Sequence, residues 1–209
     1  ETQWKWARVT LLFLAFVSFM LPVASARSDF ERGLGVGTVL GHMEASGWYY
    51  PMLATVGGVI VAMMTWSADW AGRHVYALSL PLPRWYFVLL RYGAGLVLLL
   101  LPMLAMLIGA LLASATAHLP PALHPYPGQL SLRFGLSLVL VYSFGFALAG
   151  GTRRTATGLG GVITLLFLLW LLLMILGVEA DPIAALVDWL FARPGPCEIM
   201  TGRWMLFDV

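Results

Sequence analysis

Residues 92–113 read YGAGLVLLLLPMLAMLIGALLA, twenty-two positions without an Asp, Glu, Lys or Arg. A helix rises 1.5 Å per residue, so about 20 apolar residues cross a hydrocarbon core of about 30 Å. The stretch therefore has the length and chemistry of one membrane helix. Four more charge-free stretches of similar length lie around it: Val9–Ala26, Ala45–Ala68, Phe134–Thr152 and Thr155–Val178. The charge-free run that begins at Tyr92 extends to Leu132, but Pro120–Pro121 interrupts it, so we read a span to Ala113 followed by a loop. The long runs lack the period-2 alternation of β-barrel strands. Ser131–Leu138 alternates briefly and is read as the water-facing end of the fourth helix. The sequence thus predicts an all-α polytopic membrane protein with five membrane helices.

Composition agrees. The chain has 209 residues, 60% hydrophobic and 11% charged, whereas soluble domains carry about 25% charged residues. A soluble fold and a disordered chain are both excluded on these values. Lys occurs once, at Lys5, and the other basic residues are Arg. No basic block exists for nucleic acid to bind.

The basic residues set the orientation, because cytoplasmic loops carry the excess of Lys and Arg. With the N-terminus in the cytoplasm, the inner side holds Lys5, Arg8, Arg73, Arg84, Arg91, Arg153 and Arg154 against two acids, Glu1 and Asp69. The outer side holds five Arg against eight acids. A multi-pass protein of the plasma or inner membrane, N-terminus inside, is expected. A secretory signal is the rival explanation of the first stretch: Lys5 and Arg8, the apolar Val9–Leu21, then Ala24-Ser25-Ala26 as a small-residue cleavage site. Residue 27 lies outside on either view. The chain opens on Glu1, and five spans leave its last segment outside, so truncation at both ends and a sixth helix beyond Val209 are expected.

Small residues recur every fourth position in three helices: Ala54/Gly58/Ala62, Ala105/Gly109/Ala113 and Ser143/Ala147/Gly151. Such spacing lets helices approach closely in lipid, and packing within the chain is its expected use. Pro102 is expected to kink the third helix. No charge lies well inside a span, which argues against a proton relay.

Catalytic and cofactor motifs are missing from the sequence. A P-loop needs Gly-Lys-Ser/Thr, and Lys5 stands between two Trp. The glycines 33, 35, 37 and 41 follow a membrane helix, not the strand that a dinucleotide site requires. His42, His74, His118 and His124 do not pair at helical metal-site spacing, and Cys197 is alone. We expect no enzyme, metal site or cofactor in this chain. Asp181 and Pro182 are a good N-cap and first helical residue, and Ile183, Leu186, Val187 and Leu190 follow at helical spacing. A short outer amphipathic helix is expected there, ending by Pro194-Gly195-Pro196.

The segment between the second and third spans, DWAGRHVYALSLPLPRWYFVLLR over 69–91, carries the functional signal. As a helix from Asp69 to Ser79 it places Asp69, Gly72, Arg73, Tyr76 and Ser79 on one face and Ala71, Val75 and Leu78 on the other. Leu80-Pro81-Leu82-Pro83 ends it. Arg84 and Trp85 suit a membrane interface, and Arg91 is expected to snorkel to that interface.

The run Tyr76-Ala-Leu-Ser-Leu-Pro-Leu-Pro-Arg84, with Asp69 and Gly72 upstream and Val88-Leu-Leu-Arg91 downstream, resembles the membrane subunit of ABC-2 type ABC transporters. The resemblance extends over essentially the whole chain as a single transmembrane domain, 1–209. It departs from the family at Asp69-Trp70, where the family has a pair of acids. It implies six membrane helices, a cytoplasmic coupling helix built from Asp69, Gly72, Arg73, Tyr76, Ser79, Pro81, Pro83 and Arg84, and docking of that helix on a separate ATPase subunit. It also implies a second membrane subunit, identical or not, with ATP and Mg bound by the ATPase partner. Energy then reaches this chain mechanically, by rocking of packed helices. A scaffold that docks a cytoplasmic partner without moving cargo is the alternative, and an intramembrane enzyme is a third.

Overall fold

The computed structural model describes residues 2–30, 41, 44–71, 83–117, 123–151, 153–175, 182–192, 195 and 197–208. The elements in order are α1 (Thr2–Phe30), α2 (Tyr49–Ala71), α3 (Arg84–Thr116), β1 (His124–Pro125), α4 (Pro127–Ala149), α5 (Arg153–Ile175), α6 (Pro182–Phe191), a 3-10 turn (Glu198–Met200) and β2 (Phe207–Asp208). Among the described residues, four helices are long and apolar enough to cross a membrane: Arg8–Arg27, Glu44–Trp66, Trp85–Thr116 and Pro127–Ala149. The chain is an all-α membrane protein on this measure. α5 is a helix of 23 residues with an apolar stretch over Thr164–Leu173.

The helices outrun the charge-free stretches that predict them. The third starts at Arg84, eight residues before Tyr92, and the fourth starts at Pro127, not Phe134. A helix in progress does not stop at a charge when the side chain finds a partner or water. It stops where the backbone must. Pro83 is extended (φ −61°, ψ 136°) and caps α3, and its carbonyl accepts from Tyr86 N at 3.0 Å. Pro22 and Pro102 lie within α1 and α3, both fully buried, and each helix is continuous through its proline.

The described residues fall into two compact units, Glu1–Phe146 with Arg203–Val209, and Ala147–Gly202. In the first, the helices turn an apolar side outward. On α3, Val97, Leu100, Leu104, Ile108 and Leu111 are exposed at helical spacing, while Leu99, Met106, Ala110 and Ala113 are buried. Water would not tolerate such a stripe on this scale, and lipid does. α1 packs as a member of this core. Leu11, Leu14, Ser18 and Ala26 are buried, and Ser25 donates to the Pro22 carbonyl at 3.0 Å. The small residues at 24–26 lie within a continuing helix, with Ala26 buried and Ala24 exposed.

Two of the three small-residue patterns make close helix contacts. A Cβ at Gly109 would collide with the Phe19 carbonyl of α1, and one at Gly58 would meet the Val141 side chain at 2.9 Å and the Tyr142 amide at 3.0 Å. Glycine is required at both by the approach of a neighbouring backbone. The third pattern behaves differently: Ser143 is bonded to Tyr92, while Ala147 and Gly151 are exposed. Ser18 and Ser137 bury hydroxyls that have no hydrogen-bond partner.

The second unit holds α5, α6 and the 3-10 turn. α6 begins at Pro182 as expected, and Leu186, Val187 and Trp189 are exposed along it. Asp181 lies outside the described residues. Cys197 N donates to the Leu190 carbonyl at 2.9 Å, folding the chain back on the end of α6.

One element had no counterpart in the sequence analysis. β1 and β2 form an antiparallel pair, His124 opposite Asp208 and Pro125 opposite Phe207. Tyr126 N donates to the Leu206 carbonyl at 2.8 Å, and Trp204, Leu206 and Phe207 are buried. The final segment returns to the start of α4.

Candidate functional site: the joint beside the loop from α2 to α3

α2 runs unbroken through Asp69 to Ala71, so Asp69 sits in its last described turn. Nothing in Ala68–Ala71 interrupts a helix, and the first residue of low helix propensity is Gly72. Gly72, Arg73, Tyr76, Ser79 and Pro81, the centre of the sequence-predicted coupling helix, lie outside the described residues. Pro83 and Arg84 form the start of α3, with Trp85 65% exposed beside Tyr86. The structure thus describes the two flanks of the loop and what ties them together.

That tie is Arg91. It is 8% exposed, within the bundle. Its Nε donates to the Thr65 carbonyl of α2 at 2.6 Å. Its guanidinium lies 5.0 Å from the Trp66 ring centre and 5.5 Å from that of Phe87. A weakly hydrated planar cation suits two ring faces, and a charge-assisted bond to a carbonyl contributes about 1.5–3 kcal/mol. Within the bundle the rings and the carbonyl take the place of water around the guanidinium.

α4 closes the joint. Trp66 Nε1 donates to the Phe146 carbonyl at 3.2 Å, and the two rings are 5.2 Å apart. The Tyr92 hydroxyl and Ser143 Oγ are 2.7 Å apart, and the Tyr142 hydroxyl donates to the Tyr92 carbonyl at 3.2 Å. Tyr92 and Tyr142 stack at 5.4 Å. Polar groups here are paired across helices, where an unpaired group in hydrocarbon costs several kcal/mol. At 1.5 Å per residue, Thr65 lies about 9 Å below the end of α2 and Arg91 about 10 Å below the start of α3. The joint fastens both flanks within about two turns of the loop.

The sequence analysis placed Arg91 among the inner charges and missed its role. The available signal was Arg91-Tyr92 on one helix and Tyr142 with Phe146, one turn apart, on another. Among the described residues no three His, Cys, Asp or Glu side chains gather to hold a metal. Comparison with family models, with curated proteins and with solved structures finds no match.

Proposed function

We propose that this chain is the membrane subunit of an ATP-driven exporter of the ABC-2 type, with residues 69–84 as the element that docks on a separate ATPase. The observation that carries this proposal is the Arg91 joint. A loop that receives a push moves the bundle only if its two flanking helices move together, and Arg91 Nε on the Thr65 carbonyl fastens α3 to α2. Rigid-body rocking of packed helices then converts the push into alternating access. The chain offers no Gly-Lys-Ser/Thr motif of its own, so ATP and Mg belong to the partner. The apolar bundle suits amphipathic cargo.

Five crossings with the N-terminus inside fit this proposal. α3 runs from the loop 72–82 to the segment that carries β1, so the proposal puts the β1–β2 pair on the outer side, opposite that loop.

Purification of the tagged chain from its native host tests the proposal. An ATP-binding protein should accompany it, and Arg73→Glu with Arg84→Glu should abolish that association. Hydrolysis stimulated by an amphipathic substrate supports transport. Association without any stimulation supports the scaffold instead.

A further inference from the structure

Between α1 and α2 lies a groove of about 90 Å³ that the transport proposal does not use. On α1 it runs from Thr10 to Val17, and on α2 from Leu53 to Met64. Its floor is buried: Leu11, Leu14 and Val61 are 1%, 5% and 2% exposed. Leu14 is seated against α2 at Gly57, where an added Cβ would lie 3.0 Å from both of its methyl carbons. The walls face outward, with Phe13 67% and Val56 45% exposed. Among the described residues, none that lines the groove is charged. An apolar cavity stays dry and takes an apolar guest.

Size and position select the guest. One water-sized group needs about 10–15 Å³ on this measure, so the groove takes about six to nine such groups. At 1.5 Å per residue, Thr10–Val17 covers about 10 Å of helix axis. A slot of that length and volume is one hydrocarbon chain wide. A further helix, about 10–12 Å across with its side chains, does not enter it. The groove also lies in one half of the membrane. Thr10–Val17 falls in the first half of the span Arg8–Arg27, and Met64 stands two residues before the end of the span Glu44–Trp66. Both helices therefore present the groove on the side of Arg8. Its α1 wall ends about 14 Å from that residue, the depth of one leaflet's hydrocarbon.

The mouth supplies a partner for a headgroup. Arg8 is exposed and begins the span, and it precedes the lining residue Leu11 by three positions, so the two share a side of α1. A guanidinium at the end of a span meets lipid phosphates and favours a headgroup of net negative charge.

We infer that this groove holds one acyl chain of an anionic phospholipid whose headgroup sits on Arg8. The inference needs no ATPase, and neither does its test. The full chain is reconstituted in phosphatidylcholine vesicles that contain a minor share of phosphatidylglycerol with a diazirine in its acyl chain. After irradiation, adducts are mapped by mass spectrometry. Ordinary solvation by lipid labels exposed residues alike, so Leu104 and Ile108 of α3, 54% and 58% exposed, serve as the reference. Phe13–Val17 and Val56–Ile60 should carry several-fold more adduct than these two. The same diazirine on phosphatidylcholine should label the groove about fivefold less, the attraction of one basic residue for an anionic headgroup. Arg8→Gln should remove that preference. Val56→Trp should fill the groove and lower labelling of Phe13–Val17 several-fold, whereas Leu104→Trp should not. Unlabelled phosphatidylglycerol, exchanged for phosphatidylcholine at constant probe, should reduce the groove adducts and leave those on Leu104 and Ile108 unchanged. Labelling no higher than the α3 reference, equal labelling by the two headgroups, or adducts that neither Val56→Trp nor unlabelled phosphatidylglycerol reduces would each overturn the inference. So would a photo-crosslinking residue at Val56 that captures a second copy or another segment of this chain in place of lipid.

Discussion

Two arginines in this bundle do the same chemistry at opposite ends. Arg91 and Arg133 each donate to a backbone carbonyl and each lie over a tryptophan, at 5.0 and 4.4 Å. They differ in surroundings. Arg91 is buried and joins helices through Thr65, 26 residues away. Arg133 is half-buried, borders a cavity, and holds a returning segment 70 residues away. One contact is enclosed by aromatic rings on three helices, and the other opens on that cavity. The same pair of groups thus makes a weld where it is sealed and a looser clasp where it is not.

Substitution should separate the two. Arg91→Ala removes a charge-assisted bond and leaves a void between Trp66 and Phe87. A loss of about 2–4 kcal/mol is expected, read as a lowered unfolding midpoint in detergent. Arg91→Lys keeps the charge but lacks the planar face, and should recover about half of that loss. An Arg91→Ala protein of unchanged midpoint would remove the distinction between the ends.

Arg133→Ala should cost about 1 kcal/mol overall, since its guanidinium is only half withdrawn from water. Its local effect is larger: Trp204 loses its cation, and trypsin should cleave after Arg203 several-fold faster as the segment opens. Arg91→Ala should not produce that local release. Between the ends, Ser137→Ala should raise stability slightly, by up to about 1 kcal/mol, because it deletes a buried hydroxyl that bonds to nothing. The smallest effect belongs to Glu44→Gln. Its pair with Arg203 is 54% and 67% exposed, and less than about 0.5 kcal/mol is expected, vanishing in high salt.

The ends also differ in how much the sequence disclosed. Charge-free runs located the helices because hydrocarbon forbids unpaired charge along most of their length. Pro182 marked the start of α6 through local backbone chemistry. Ala54/Gly58/Ala62 announced a close contact because only small side chains admit a neighbouring backbone. The partners of Arg91 were not legible: a lone charge near a helix end suggests an interface, and only the packing of α2 against α3 brings Trp66 and the Thr65 carbonyl to it. The β1–β2 pair was invisible. Two-residue strands separated by more than 80 residues carry no turn signal, and only the tertiary fold pairs them. Ser143, Ala147 and Gly151 shared a spacing with true packing motifs, but spacing does not say which side of a helix faces a neighbour. The coupling residues Gly72 to Pro81 rest on sequence alone.

The account depends on the loop between α2 and α3 facing the cytoplasm, where an ATPase can reach it. Ser79→Cys in a Cys197→Ser background, treated with a membrane-impermeant maleimide, measures this directly. The account predicts no labelling in intact cells and full labelling once the membrane is opened; labelling of intact cells from outside contradicts it.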